Sequence, residues 1–320
     1  MTQPTRHRLD NLSPRAFQHP ADRAATAALG RIPSLDATVR KLTEFQYERA
    51  FRQSLLANSV KVGPRQLPEV WDVYQRALRT LDMPAEYDLY VTQYPVANAA
   101  AVGSGKPMIV LYSQLVDLLE EDELWAVLGH ELGHILCDHV AYQTALLLLV
   151  GLGSSMPLVP GIPLRALLAV LLEWSRSAEL SADRAGALAC RDPLASCRAL
   201  MVLSAGLPAS RLDLDAFLAQ AAEYQDWDAG WDRFVRFFAE RQATHPYSVR
   251  RVVALTEWVR GGDYDRILGG SYVKRGEDDV RADADAAIGH YADRFWTILK
   301  DASRGAESAR TRVSDWMQRR

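Results

Sequence analysis

The chain has 320 residues, of which 48% are hydrophobic and 24% charged, and its mean hydropathy is −0.14. This is the composition of a globular protein, and it excludes a disordered chain, collagen and a multi-span membrane protein. The net charge of −3 lacks the basic excess of a charge-driven nucleic-acid binder, so we expect no nucleic-acid partner. Three cysteines, a small and odd number, argue against a disulfide framework. The polar N-terminus lacks the apolar run of a signal peptide. We therefore expect a cytoplasmic location.

The pattern of the sequence divides the chain into four regions. Residues 1–20 carry several prolines among polar residues and are predicted to form an extended N-terminal arm, and residues 21–84 have helical periodicity. Residues 85–260 begin with two short runs of strand-forming residues, continue with helices and are taken as a separate domain. Residues 261–320 contain a charged segment and a predicted amphipathic helix.

One apolar segment raises the question of membrane contact. No charged residue occurs in the 25 residues of 140–164, but glycines and prolines divide the segment into apolar runs of about ten residues. Runs of that length favour a packed or membrane-skimming hairpin over a full span. Peripheral membrane contact through residues 140–172, or through the helix predicted at 280–320, stays open.

The most informative motif is His130-Glu131-x-x-His134. Residues four apart lie on one helix face, so both imidazoles can bind a single Zn²⁺ at about 2.0–2.1 Å. Glu131 is rotated away from them, close enough to act on a water molecule without being a ligand. This spacing is a signature of zinc metallopeptidases. The alternative is a pair of hydrogen-bonded core histidines on a buried helix.

The helix predicted around this motif has two unusual features. An acidic run, Glu121-Asp122-Glu123, lies where the positive end of the helix dipole would be. Gly129 and Gly133 each destabilise a helix interior by about 1 kcal/mol relative to alanine. We expect them to permit the close approach of another backbone or to leave space beside a metal.

A catalytic zinc needs a third protein ligand, and the sequence offers it on a second helix. Glu179 and Asp183 share one face of an apolar segment, where buried carboxylates require partners. We predict that Glu179 is the third ligand and that Asp183 accepts the free N–H of a ligating histidine. A solvated acidic face is the alternative. His139 is predicted to make a polar contact at the helix end, and Cys137 to be a small buried residue.

Taken together, these residues make the chain resemble the HtpX and CAAX-prenyl-protease type of zinc metallopeptidases, peptidase family M48, a gluzincin group. The resemblance covers roughly residues 85–260. It rests on Asn98-Ala99-x-Ala101, His130-Glu131-x-x-His134, Glu179-x-x-x-Asp183 and Thr244-His-Pro-x-x-x-Arg250.

The resemblance implies a mainly α (α+β) fold with a zincin-like core. In such a core one helix carries His-Glu-x-x-His, a second helix carries Glu-x-x-x-Asp, and a small β-sheet offers an edge strand to the substrate. The resemblance further implies one Zn²⁺ per chain, His245 as an oxyanion donor and Arg250 as a supporting residue behind the ligands. It assigns substrate binding on the edge strand to Asn98, Ala99 and Ala101.

The function expected from these features is a zinc-dependent metalloendopeptidase that acts on polypeptides, with Glu131 as its general base. A zinc-stabilised peptide-binding or chaperone-like module with little turnover is the alternative, although an intact Glu131 argues against it. The N-terminal arm or the C-terminal helix could also occupy the groove and keep the enzyme latent. The sequence does not indicate the substrate or the oligomeric state.

Overall fold

The structure is a computed structural model that describes residues 8–32, 35–36, 39, 48–152, 164–226 and 247–277. In chain order its helices are α1 (Pro20–Gly30), α2 (Glu48–Asn58), α3 (Pro68–Thr80), α4 (Ser113–Leu118), α5 (Glu121–Leu136), α6 (Val140–Leu152), α7 (Leu164–Cys190), α8 (Pro193–Ala205), α9 (Leu214–Asp226), α10 (Ser248–Arg260) and α11 (Asp263–Leu268). Its strands are β1 (Val60–Lys61), β2 (Asp88–Thr92), β3 (Ala99–Val102) and β4 (Met108–Tyr112). The predicted mainly α (α+β) fold is confirmed.

The strands form one mixed sheet with the order β1-β2-β4-β3. β2 and β4 are parallel, whereas β1 pairs antiparallel with β2 and β3 antiparallel with β4. In the register of the last pair, Ala99 lies opposite Leu111 and Ala101 opposite Ile109. Within the described residues β3 pairs with β4 alone, so it forms one edge of the sheet.

Side chains of alternating direction give the sheet two apolar faces. Leu89, Ile109 and Leu111 are buried in the main core, which they share with residues of α3 and α5. The opposite face, which includes Tyr90 and Val102, packs against α2. The sheet is therefore covered by helices on both faces, and β3 runs beside α5 at its edge.

A buried carboxylate fastens α2 to the turn between β3 and β4. Glu48, the first residue of α2, accepts hydrogen bonds from the backbone N–H groups of Ser104, Gly105 and Lys106 at 2.9, 3.0 and 3.1 Å. Charge-assisted hydrogen bonds of this kind are stronger than neutral ones. They fix α2 across the sheet, next to the edge strand.

The helix that carries the histidine motif begins as the acidic run predicts. Glu120 and Glu123 form a capping box, in which each side chain accepts a hydrogen bond from the backbone N–H of the other. Glu121, Asp122 and Glu123 lie in the first turn, where negative charge is favoured by the helix dipole.

Three glycines lie where α5 crosses α7. A Cβ atom added at Gly129 would lie 2.3 Å from the Cβ of Ala189, and one added at Gly133 would lie 2.5 Å from the Cβ of Ala185. From the other helix, a Cβ at Gly186 would lie 2.6 Å from the backbone oxygen of Ala126. The predicted close approach of a second backbone is thus confirmed, and it explains why α5 carries glycines in its interior.

This packing predicts that Gly186→Ala destabilises the protein. Its added methyl group meets backbone rather than a flexible side chain, so the helices must separate, at a cost of about 1–3 kcal/mol or more. Gly30→Ala is the control, because Gly30 ends α1 and its added Cβ would have no atom within 4 Å. This substitution should leave the free energy of unfolding unchanged or increase it by up to about 1 kcal/mol. Urea denaturation of both variants checks this, and equal stabilities would contradict the packing argument.

The described part of the segment before α1, residues 8–19, belongs to the extended arm of the sequence analysis and packs against the core. It contains a 3₁₀ turn at Pro14–Ala16, and Leu9 and Leu12 are fully buried. Its last residue, His19, donates its backbone N–H to the Oγ of Ser181 in α7 at 2.9 Å. The N-terminal segment is therefore attached to the helix that carries Glu179.

No single helix among the described residues is both long and apolar enough to cross a membrane. One pair of helices is long and apolar enough when its members are taken together. The pair consists of α5 and Val140–Val150 of α6, and the two helices are bent by 100° at their junction. The remainder of the predicted hairpin, residues 153–163, and the helix predicted at 280–320 lie outside the described residues.

Candidate metal centre

The two motif histidines and Glu179 meet at the crossing of α5 and α7. The Nε2 atoms of His130 and His134 are 3.1 Å apart. The Oε2 atom of Glu179 lies 3.5 Å from the Nε2 of His130, and its Oε1 lies 3.4 Å from the Nε2 of His134. The three residues thus each offer one metal-binding atom, and these three atoms all lie within 4.8 Å of one another.

These separations fit a tetrahedral zinc ion. Donors at two corners of a tetrahedron, each about 2.0–2.1 Å from the ion, are about 3.3–3.4 Å from each other. Two imidazole nitrogens and one carboxylate oxygen also form a donor set that is characteristic of catalytic zinc. His134 and Glu179 are almost fully buried, and His130 is partly exposed, so the group opens on the side of His130.

The protonation of the two imidazoles differs because their neighbours differ. Burial lowers the pKa of His134 to about 4, so this ring is in the neutral form that binds metals. Burial acts in the same direction on His130, but the carboxylates of Asp183 and Glu179 outweigh it and raise its pKa to about 9. Metal binding would therefore displace a proton from His130.

Asp183 lies directly behind His130. Its Oδ1 atom is 3.1 Å from the Nδ1 of His130. A carboxylate can only accept a hydrogen bond, so this contact keeps a proton on Nδ1 and directs the Nε2 lone pair towards the other donors. The structure thus brings Asp183 to the place for which the sequence analysis selected it.

The supporting arginine is Arg251 and not Arg250. Arg251 donates from Nε to Oδ2 of Asp183 at 2.8 Å and from Nη2 to Oδ1 at 2.5 Å, and its Nη1 lies 3.2 Å from Glu179. Arg250 is exposed. Adjacent residues on a helix differ by about 100° in direction, and the buried face of α10 contains position 251 together with Val252, Leu255 and Trp258. The sequence motif placed the residue one position too early.

Arg251 also changes the ionisation of its partners. Burial raises the pKa of Asp183, but the charge of Arg251 and its hydrogen bonds outweigh burial and lower that pKa below its ordinary value. Asp183 and Glu179 in turn raise the pKa of the guanidinium against the effect of burial. Both carboxylates therefore depend on one buried cation.

We predict that Arg251→Met destabilises the protein by about 3–5 kcal/mol, because it leaves two buried carboxylates without their cation. Arg250→Met, one residue away on the exposed face, should change the free energy of unfolding by no more than about 0.5 kcal/mol. The measurement is chemical denaturation of both variants in excess chelator. Similar losses from the two substitutions would show that Arg251 does not have this role.

Glu131 lies on the other side of the histidines, beside the edge strand. It is buried, and it is hydrogen-bonded to the backbone of Ala101. Burial raises its pKa to about 7, an effect that His130 opposes and Glu179 reinforces. A carboxyl group with a pKa near neutral is suited to accepting and returning a proton.

The metal group and the edge strand share one cavity of about 540 Å³. Its lining includes His130, Glu131 and the β3 segment 98–102, in which the predicted substrate-binding residues Asn98, Ala99 and Ala101 lie. Phe51 from α2 and Leu147 from α6 supply an apolar wall. His245, the predicted oxyanion donor, lies outside the described residues.

His139, predicted to make a polar contact at the helix end, makes such a contact with His134. The helical wheel puts it on the far face from His134, but α5 ends at Leu136 and Asp138 has a φ of 57°. This left-handed residue turns the chain back, so that the Nδ1 atoms of His139 and His134 are 3.1 Å apart. A turn after the motif was the signal that could have found it.

Comparison with known proteins identifies the family. The model of Peptidase family M48 matches residues 64–259. The chain is 37% identical over 259 residues to plastoglobule-localized metallopeptidase 48 of Arabidopsis thaliana, which covers 79% of this chain and 74% of that protein. It is 26% identical to a protease HtpX homolog of Salinibacter ruber over 62% of this chain and 76% of the relative. A protease HtpX homolog of Tropheryma whipplei is also 26% identical, over 47% of this chain and 60% of the relative.

No solved structure matches the chain significantly. The family match spans more than half of the chain, and it contains the histidine motif, Glu179 and Arg251. The chain therefore belongs to peptidase family M48 and is a metallopeptidase, a hydrolase that acts on polypeptides.

Proposed function

We propose that this metallopeptidase is a zinc-dependent endopeptidase that binds one Zn²⁺ per chain through His130, His134 and Glu179. The observation that carries the proposal is the convergence of these donors within 4.8 Å, on a cavity that also contains Glu131 and the edge strand. The donor set suits zinc, and the side towards the cavity leaves a position for water and substrate.

When bound, zinc supplies a Lewis acid that acidifies water and polarises a peptide carbonyl. The protein's contribution is the movement of a proton. A carboxylate oxygen of Glu131 accepts a proton from the attacking water and returns it to the nitrogen of the leaving amine. Its raised pKa suits both directions of transfer, since the group is neither a strong acid nor permanently protonated near neutral pH.

The edge strand gives this cavity a way to hold a peptide. An extended substrate can add to β3 through backbone hydrogen bonds, in the mode known as β-augmentation. The small side chains of Ala99 and Ala101 permit a close approach, and Asn98 immediately precedes the strand. Backbone pairing along a strand does not require a chain terminus, which favours an endopeptidase over an exopeptidase.

His245 completes the proposal as the donor that would stabilise the oxyanion. Support comes from the chain immediately after it: α10 begins at Ser248, and Arg251 in its first turn contacts Asp183. The cytoplasmic location expected from the sequence stays a prediction.

Glu131→Gln tests the proton-transfer role. The amide keeps the size of the side chain but cannot accept a proton, so cleavage of an unfolded polypeptide should fall by about 10²–10⁴-fold while zinc content is unchanged. Asp122→Asn, on the exposed start of the same helix, is the matched control and should cleave like the wild type. Wild-type cleavage by Glu131→Gln would disprove the assignment.

Metal removal tests the zinc dependence. A chelator should abolish cleavage, and stoichiometric zinc should restore it, because the ion held by His130, His134 and Glu179 is what acidifies the attacking water. His134→Ala should lose both zinc, measured by elemental analysis, and activity. Full activity of a chain shown to be free of metal would contradict the proposal. Zinc binding without any cleavage of unfolded substrates would instead favour the peptide-binding module.

A further inference from the structure

A second group of polar side chains lies behind His134, on the side away from the cavity. His139 places its Nδ1 atom 3.1 Å from the Nδ1 of His134, and its Nε2 atom 3.0 Å from Oδ2 of Asp22 on α1. Both His139 and Asp22 are fully buried. The ring of Trp174, also fully buried, meets the His139 ring edge to face at 5.5 Å between centroids.

Asp22 is the fixed end of this arrangement. Besides His139, its carboxylate accepts hydrogen bonds from Oγ of Ser181 at 2.6 Å, from Nε2 of Gln18 at 2.9 Å and from Oγ1 of Thr26 at 3.1 Å. Burial alone would raise the pKa of Asp22, but His139 and the other donors outweigh it and lower the pKa to about 2. Asp22 is therefore a carboxylate that can only accept hydrogen bonds.

Because Asp22 can only accept hydrogen bonds, it limits where the protons lie on His139 and His134. The Nε2 of His139 therefore donates to Asp22, and the Nδ1 of His139 is the ring atom that faces Nδ1 of His134 at 3.1 Å. When the Nε2 of His134, which faces Glu179, is the metal-binding atom, its Nδ1 carries the ring proton, and a lone pair on Nδ1 of His139 is placed to accept it. Gln143 also lies near His134, with its Nε2 at 3.1 Å from Nδ1, but an amide NH₂ cannot accept that proton.

The same cluster could be read as a second metal site, since Asp22, Cys137 and His139 each offer one ligand atom within 4.8 Å. Two observations oppose that reading. The carboxylate of Asp22 is already occupied by hydrogen-bond donors, as described above. Burial also raises the pKa of the Cys137 thiol well above its usual value, which disfavours the thiolate that metals require.

We propose that Asp22 and His139 are positioning residues that orient His134 for the metal, and that α1 thereby sets the zinc affinity of the site. The inference rests on the proposed zinc centre. Asp22 lies outside residues 64–259, the part of the chain that the family model matches. An element beyond that part, held to α7 through Ser181, would therefore control a ligand on α5.

The test measures the zinc affinity of the full chain by competition with a chromophoric chelator. Asp22→Asn and His139→Phe should each weaken affinity by about 10–100-fold, the usual effect of removing a partner behind a metal ligand. His139→Gln should recover most of the affinity, because its amide oxygen can accept from His134 while its NH₂ donates to Asp22. Cys137→Ala, buried in the same cluster, is the matched control and should bind zinc like the wild type.

The result must also be separated from a loss of folding. Thermal midpoints with and without zinc provide this, since a merely structural role would lower both midpoints and leave the increase caused by zinc unchanged. A reduced increase in Asp22→Asn supports the proposal, and an unchanged increase overturns it. Two zinc ions per wild-type chain, with one in Cys137→Ala, would overturn it in favour of a second metal site.

Two further measurements keep the outcomes distinct. If His134→Ala retains wild-type affinity, the proposed zinc centre itself is wrong. If His134→Ala loses zinc while Asp22→Asn and His139→Phe retain wild-type affinity, only the positioning role is wrong.

Should Asp22→Asn and His139→Phe fail to fold, ¹⁵N NMR of labelled histidines in the zinc-loaded wild type decides between the outcomes. The His139 signal is assigned by its absence in His139→Gln. A proton on Nε2 of His139 supports the proposal, and one on Nδ1 overturns it.

Discussion

The site depends on how closely α5 and α7 can approach each other. Side chains at the crossing would hold the two backbones apart, and Gly129, Gly133 and Gly186 remove that obstacle. The helices can then bring donors from distant parts of the sequence to within 3.1–3.5 Å of one another. The free energy that glycine costs a helix interior, about 1 kcal/mol for each residue, is offset by this packing and by the site that it creates.

Charge balance gives a second reason for the arrangement. Glu131, Glu179 and Asp183 are buried carboxylates at one crossing, and Arg251 is a single cation that contacts two of them. Buried charges in proteins are paired or coordinate metals, and a metal ion bound here would replace the proton that Asp183 and Glu179 favour on His130. Burial raises the pKa of Glu131, and Glu179 reinforces this effect while His130 opposes it. The features that permit metal binding therefore also prepare the base.

Elements outside the family match complete the site. α2, fixed by Glu48 to the turn after the edge strand, contributes Phe51 to the cavity wall. α1 brings Asp22 to the back of the ligand pair. Residues that precede position 64 thus line the cavity and, in the arrangement proposed above, orient His134.

Local spacing was enough to identify the residues of the histidine motif. His130, Glu131 and His134 could be assigned because helix periodicity alone places them on neighbouring faces, and Glu179 stood out as a carboxylate in an apolar segment. Contacts that no local period encodes could be assigned only from the packing of the helices. Arg251, His139 and Asp22 belong to this group: the first depends on which face of α10 is buried, the second on a left-handed turn after α5, and the third on the docking of α1.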